Sequence, residues 1–171
     1  ALAHVPHAAC IVPEKREERT TEGGLDAIRG HNHLQPIVRQ LADAGIRVSL
    51  FIEADTQQLD AAAALGAPVI ELHAGAYADL TGKAQEAELA RIAAAAAHAE
   101  AIGLECHVGH GLTYDNVTPI AEIETVRELN IGHFLIGEAI FSGLDSAIRR
   151  MRSLMDTARA INEMVFAMLF V

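Results

Sequence analysis

Three places in the chain carry residue types able to do chemistry. In Gly109-His110-Gly111 and in Gly132-His133, histidine stands beside glycine. Glycine lets backbone N–H groups come close to an oxyanion, and imidazole adds a donor that titrates near neutral pH. Such a pair suits a phosphorylated small molecule. The third place is Glu71, a carboxylate inside the apolar run 68–72. Burying a charge there is costly unless it is hydrogen-bonded or put to use. His73 and His107 lie near the same inferred strand ends, and His107 reads equally as a packed strand residue. Histidine with carboxylate can suit zinc, but no His-Glu-x-x-His spacing occurs, so no metal and no cofactor are expected.

Elements must carry these residues to one place. Short apolar runs at 8–12, 46–52, 68–72, 104–108 and 130–136 read as strands. Helical stretches read at 34–44, 55–65, 83–102 and 144–160, with a short one within 114–124. Strands alternating with helices imply a parallel sheet with right-handed crossovers, either doubly wound or part of a (β/α)8 barrel. A full barrel takes about 250 residues, more than this chain has. In such folds the site lies at the carboxyl ends of the strands, where Glu53, His73, His110 and His133 all fall. The polar stretch 13–33 is long for a connection, and its charge run 14–19 reads as a solvated face or as a lid. Residues 1–160 read as one partial barrel domain. Residues 161–171 read as an atypical apolar C-terminal tail.

Composition narrows the field. The chain has 171 residues, half of them apolar, so disorder is excluded and one domain is expected. With 23 Asp and Glu against 13 Lys and Arg, nucleic acid is not an expected partner. No apolar run is long enough for a membrane span. The two cysteines, Cys10 and Cys106, read as small buried apolar residues, not a disulfide framework, and a cytoplasmic location is expected. His4, His7, His31, His33 and His98 read as surface residues. The chain begins at Ala1 without an initiator Met, as a fragment or processed product would.

Five strings, at 12–26, 42–55, 70–78, 109–117 and 128–144, occur in one order. VPEKREERTTEGGLD, ADAGIRVSLFIEAD, IELHAGAYA, GHGLTYDNV and ELNIGHFLIGEAIFSGL together resemble the pyridoxine 5′-phosphate synthase family. The resemblance implies a parallel (β/α)8 TIM barrel of vitamin B6 biosynthesis. That enzyme condenses 1-deoxy-D-xylulose 5-phosphate with 3-amino-2-oxopropyl phosphate to pyridoxine 5′-phosphate, phosphate and water. It implies that the five strands correspond to strands four to eight, an incomplete barrel lacking the first three. The family's first histidine base, its catalytic glutamate and its early Asn, Asp-His and Arg contacts then have no counterpart here. By the same resemblance His110 is a proton donor and Glu71 stabilises charge in the transition state. Gly111, Gly132 and His133 hold the aminoketone phosphate, and Thr20 contacts the deoxyxylulose phosphate. A homo-oligomer, an octamer in the family, is implied. The alternative is a non-catalytic phosphate-binding or assembly fragment of such a barrel.

Overall fold

The structure, a computed structural model, describes residues 1–13 and 23–169, with side chains as far as residue 160. Five strands form one sheet: β1 (Ala8–Ile11), β2 (Arg47–Ile52), β3 (Val69–His73), β4 (Glu105–Gly109) and β5 (Val126–Asn130). Each pairs in parallel with the next, and the order across the sheet is the order along the chain. A doubly wound sheet reverses its strand order at a switch point. This one does not, so of the two architectures the sequence left open it is built as a barrel wall is built.

Seven helices are described: α1 (His31–Asp43), α2 (Thr56–Leu65), α3 (Gly75–Asp79), α4 (Gly82–Ala101), α5 (Val117–Ala121), α6 (His133–Ser142) and α7 (Leu144–Leu169). Local chemistry sets their ends. Asp55 accepts hydrogen bonds from the backbone N–H groups of Gln57 and Gln58, capping α2. Gly66 closes that helix at φ 84°, a left-handed turn that a Cβ would strain. In α1, Leu34, Val38 and Leu41 recur at helical spacing and are buried. In α4, Ile92, Ala95, Ala96 and Ala99 make a flat, small-residue face that lets the helix lie close to the sheet.

The two faces of the sheet differ. Val48, Leu50 and Ile52, then Ile70 and Leu72, then Cys106 and Val108, point to one side and join α1, α2, α4 and α5 in the apolar core. A fully buried Leu or Ile contributes roughly 1.5–3 kcal/mol, so this face supplies most of the adhesion. The alternating positions carry Ser49, Phe51, Glu71, His73, Glu105, His107, Glu128 and Asn130 to the other side. The short apolar runs are thus apolar on one face and carry most of their polar and ionisable groups on the other.

The fifth strand differs from its expected position. It lies at Val126–Asn130, and the run 130–136 instead turns into α6 at His133. Asn-Ile-Gly-His-Phe-Leu-Ile is a short apolar run, and periodicity cannot tell a strand from a helix over so few residues. Val126–Asn130 carries two charges, which masked it. A β-bulge between Cys106 and His107 explains both: Cys106 pairs with Val126 but His107 with Glu128. Arg127, the extra residue, reaches Glu100 at 3.0 Å, while Glu128 and Asn130 turn to the polar face. The charge run 14–19 lies outside the described residues. Beyond residue 160 the backbone of α7 continues through the expected tail as far as Leu169.

Candidate active site

Glu71 sits mid-sheet on the polar face and is 9% exposed. Its register partners are Phe51 on β2 and His107 on β4. One carboxylate oxygen accepts from Asn130 Nδ2 at 2.8 Å and from the Cys10 thiol at 3.7 Å. The other faces Gly109, where even a Cβ would stand 2.0 Å away. Burial pushes the Glu71 carboxyl up; the Cys10 and Asn130 hydrogen bonds and the His107 charge pull against it. Below it, His107 lies between two carboxylates, with Glu105 at 2.8 Å and Glu128 at 3.6 Å, and Arg47 pairs with Glu105 at 2.6 Å. Cys10 is exposed, not buried as its residue type suggests, because β1 is an edge strand. Cys106, on the apolar face, is buried.

His110 follows β4 at φ 73°, a left-handed backbone conformation rare outside glycine. Side-chain bonds hold the loop around it. Asn116 donates to the Gly111 carbonyl at 3.2 Å and accepts from Thr113 N–H at 2.7 Å. The Tyr77 hydroxyl donates to the Asn116 carbonyl at 2.8 Å. Gly111 (φ 80°) lies against Ala78, where a Cβ would come within 2.6 Å. Burial first, then the His73 and His133 charges, lower the His110 pKa, and Asp79 opposes them.

Behind His110 lies a second carboxylate–histidine pair. His73 Nδ1 is 3.0 Å from Glu53 Oε1, and the same oxygen accepts from Gly24 N–H at 3.0 Å. Arg91 of α4 approaches the other Glu53 oxygen at 3.5 Å. The His73 hydrogen bond above all lowers the Glu53 carboxyl to about 2, against the opposing effect of burial.

Glu71, His110, Gly111, Gly132 and His133 line one cleft of about 790 Å³, with Cys10, Phe51, Asn130 and part of α6 completing its wall. Gly132 precedes α6 and His133 opens it, with no side chain capping that end. The first N–H groups of a helix lack partners within it, and there they border the cleft. The expected site residues Glu71, His110, Gly111, Gly132 and His133 are therefore brought together from three separate strand ends. Thr20 lies outside the described residues. Among the described residues no group of three or more His, Cys, Asp and Glu side chains is placed to hold a metal ion. No helix among them is long and apolar enough to cross a membrane.

Sequence reasoning places Glu53 and His73 at strand ends but gives them no role, passes over Asn130, and reads Cys10 as a small apolar residue. The missed signal was the period of two: Glu71 and His73 share a face, as do Phe51 and Glu53. Asn130 needed the bulge, which no residue pattern announces.

A five-stranded parallel sheet in chain order, with a polar cleft at its carboxyl edge, defines the class: an α/β protein consistent with the TIM-barrel families. The model of the pyridoxal phosphate biosynthesis protein PdxJ matches residues 1–157, and the chain belongs to that family. It is 68% identical over 159 residues to the pyridoxine 5′-phosphate synthase of Rhodospirillum rubrum, covering 92% of this chain and 64% of that protein. It is 61% identical over 166 residues to the protein of the same name from Zymomonas mobilis, covering 97% and 65%. For the one from Jannaschia sp. the identity is 60% over 163 residues, covering 93% and 66%. The chain thus spans just under two thirds of the length of these curated relatives.

Proposed function

We propose that this chain is the portion of a pyridoxine 5′-phosphate synthase that carries strands four to eight of its barrel. The reaction is the condensation of 1-deoxy-D-xylulose 5-phosphate with 3-amino-2-oxopropyl phosphate to pyridoxine 5′-phosphate, phosphate and water. The observation that carries the reading is the single cleft shared by Glu71, His110 and the start of α6. Joining an amine to a ketone and closing an aromatic ring takes several proton transfers. His110 has a lowered proton affinity and donates readily. Glu71 stabilises positive charge as it develops. Gly111, Gly132 and His133 hold the phosphate of the aminoketone, aided by the free N–H groups of α6. Thr20 contacts the other phosphorylated substrate. The protein works in the cytoplasm as a homo-oligomer, without metal or organic cofactor.

Among the described residues no strand pairs with the outer edges of β1 and β5, and in this reading the family's first base and catalytic glutamate come from strands other than these five. The test is a pair of proteins: the 171-residue chain alone, and the chain preceded by the N-terminal third of the Rhodospirillum rubrum synthase. The fusion is expected to form pyridoxine 5′-phosphate and the chain alone is not. His110→Ala in the fusion should cost at least about a hundred-fold in turnover. An active lone chain removes the incomplete-barrel reading. A folded but inactive fusion removes the synthase reading. The open edges favour one other reading, a phosphate-binding or assembly fragment, which the second outcome would leave standing.

A further inference from the structure

We propose that Glu53 and His73 form a positioning couple for His110, holding its ring at the cleft and placing a second imidazole charge beside it. The proposal takes His110 as the proton donor and so rests on the reading above. Three observations carry it. First, the Glu53 carboxylate is an acceptor only, so the His73 Nδ1 at 3.0 Å must carry the proton. That fixes the tautomer and leaves Nε2 as the nitrogen that gains or loses charge. Second, that Nε2 is buried and has no hydrogen-bond partner among the described residues. A buried imidazole nitrogen without a partner is costly, and its cost is tolerated chiefly where it serves a function. Third, the His73 and His110 rings are 4.9 Å apart between centroids, and Phe51 packs edge-on against both, at 5.2 and 6.4 Å.

The space between the rings is built. At Gly75 a Cβ would come within 2.6 Å of His73 Nε2 and 3.2 Å of His110 Cδ2, so only glycine lets α3 start here. The charges around the couple come from every neighbouring element. Glu53, just past the end of β2, faces His73, with Arg91 and Glu88 of α4 behind it. Asp79 of α3 and His133 of α6 act on His110. A proton on His73, neutralised only from the Glu53 side, opposes a proton on His110 across the ring contact. His110 therefore releases its proton more easily than a solvated histidine does.

The experiment is an NMR titration of the histidine ring protons in the 171-residue chain. It needs no turnover, so it can fail or succeed apart from the synthase reading. His73→Gln removes the ring and its charge; His73→Phe keeps the packing and removes the charge alone. In both, the His110 midpoint is expected to rise by at least about half a unit, roughly three-fold in proton affinity. An unmoved midpoint in either folded variant overturns the proposal. A rise in His73→Gln but not in His73→Phe would reduce the couple to packing and overturn the electrostatic part. Should neither variant fold, the parent chain decides. Each ring must sense the other's proton, so the His110 signal should titrate over a wider pH range than an independent site does. A His110 curve as steep as that of an independent site would sink the idea.

Discussion

Glu71 stands where the competing effects on one carboxylate are easiest to weigh. Its hydrogen bonds favour the charged form, but burial outweighs them and its folded pKa lies above the unfolded one. The ionised group therefore costs stability at neutral pH, and that cost fades as pH falls through its folded pKa. Glu71→Gln should leave the Tm at pH 7 unchanged or raised while lowering turnover of the fusion protein about a hundred-fold. A clear loss of Tm would show that the charge is worth more than its burial costs. Glu53 is the opposite case. Its pKa is depressed to about 2, so its contribution is present above the unfolded value near 4.5 and is lost as pH falls toward 2. Urea midpoints between pH 5 and 2.5 should drop steeply in the parent and less in Glu53→Gln. Gly109→Ala tests the space beside Glu71. The new methyl must displace a carboxylate wedged between strands, costing about 1–3 kcal/mol and most of the activity. Such pairings were hidden in the sequence. Glu71 betrayed itself as a charge in an apolar run, but Glu53 and His73 are 20 residues apart and meet only because β2 and β3 are adjacent.

Elements were the most legible level. Four strands and the helices α1, α2 and α4 lie within a few residues of where apolar runs and capping residues put them, and α7 starts at the expected Leu144. Asp55 is one reason. It binds two N–H groups of α2, at 2.9 and 3.1 Å, a signal readable from Asp before a helical run. Asp55→Ala should cost about 1 kcal/mol, seen as a lower urea midpoint with an unchanged m-value. An unaffected midpoint would mean solvent caps the helix as well as the carboxylate does. β5 and α6 were illegible for a shared reason. The strand is charged because its extra residue serves the surface and its neighbours serve the cleft. The helix is apolar around its circumference, so it shows no stripe, and its Ile136, Ile140 and Phe141 are exposed.

For the whole molecule, Ile136, Ile140, Phe141, Leu144 and Ile148 are exposed along α6 and the start of α7, and among the described residues no strand pairs with the outer edges of β1 and β5. Soluble monomers rarely leave such patches bare. The net charge of −10 opposes self-association, and salt screens that charge. The isolated chain should therefore scatter light as a species above 18.2 kDa, more so at 0.5 M salt than at low salt. Phe141→Glu combined with Ile140→Lys should return it toward monomer. A monodisperse parent at both salt concentrations would show that this surface does not bind its own kind.

The strand order bears on how such a chain is made. Every strand pairs with the one synthesised just before it, so each partner is already waiting when the next strand leaves the ribosome at about 5–20 residues per second. Among the five described strands none has to wait for a distant mate, and each pairing joins neighbours in the chain. A nascent chain halted partway would hold a narrower sheet of the same design, with its finished pairs in their final register. A nick in a connecting loop would likewise leave two pieces, each with its internal pairings intact and one matching edge through which to rejoin.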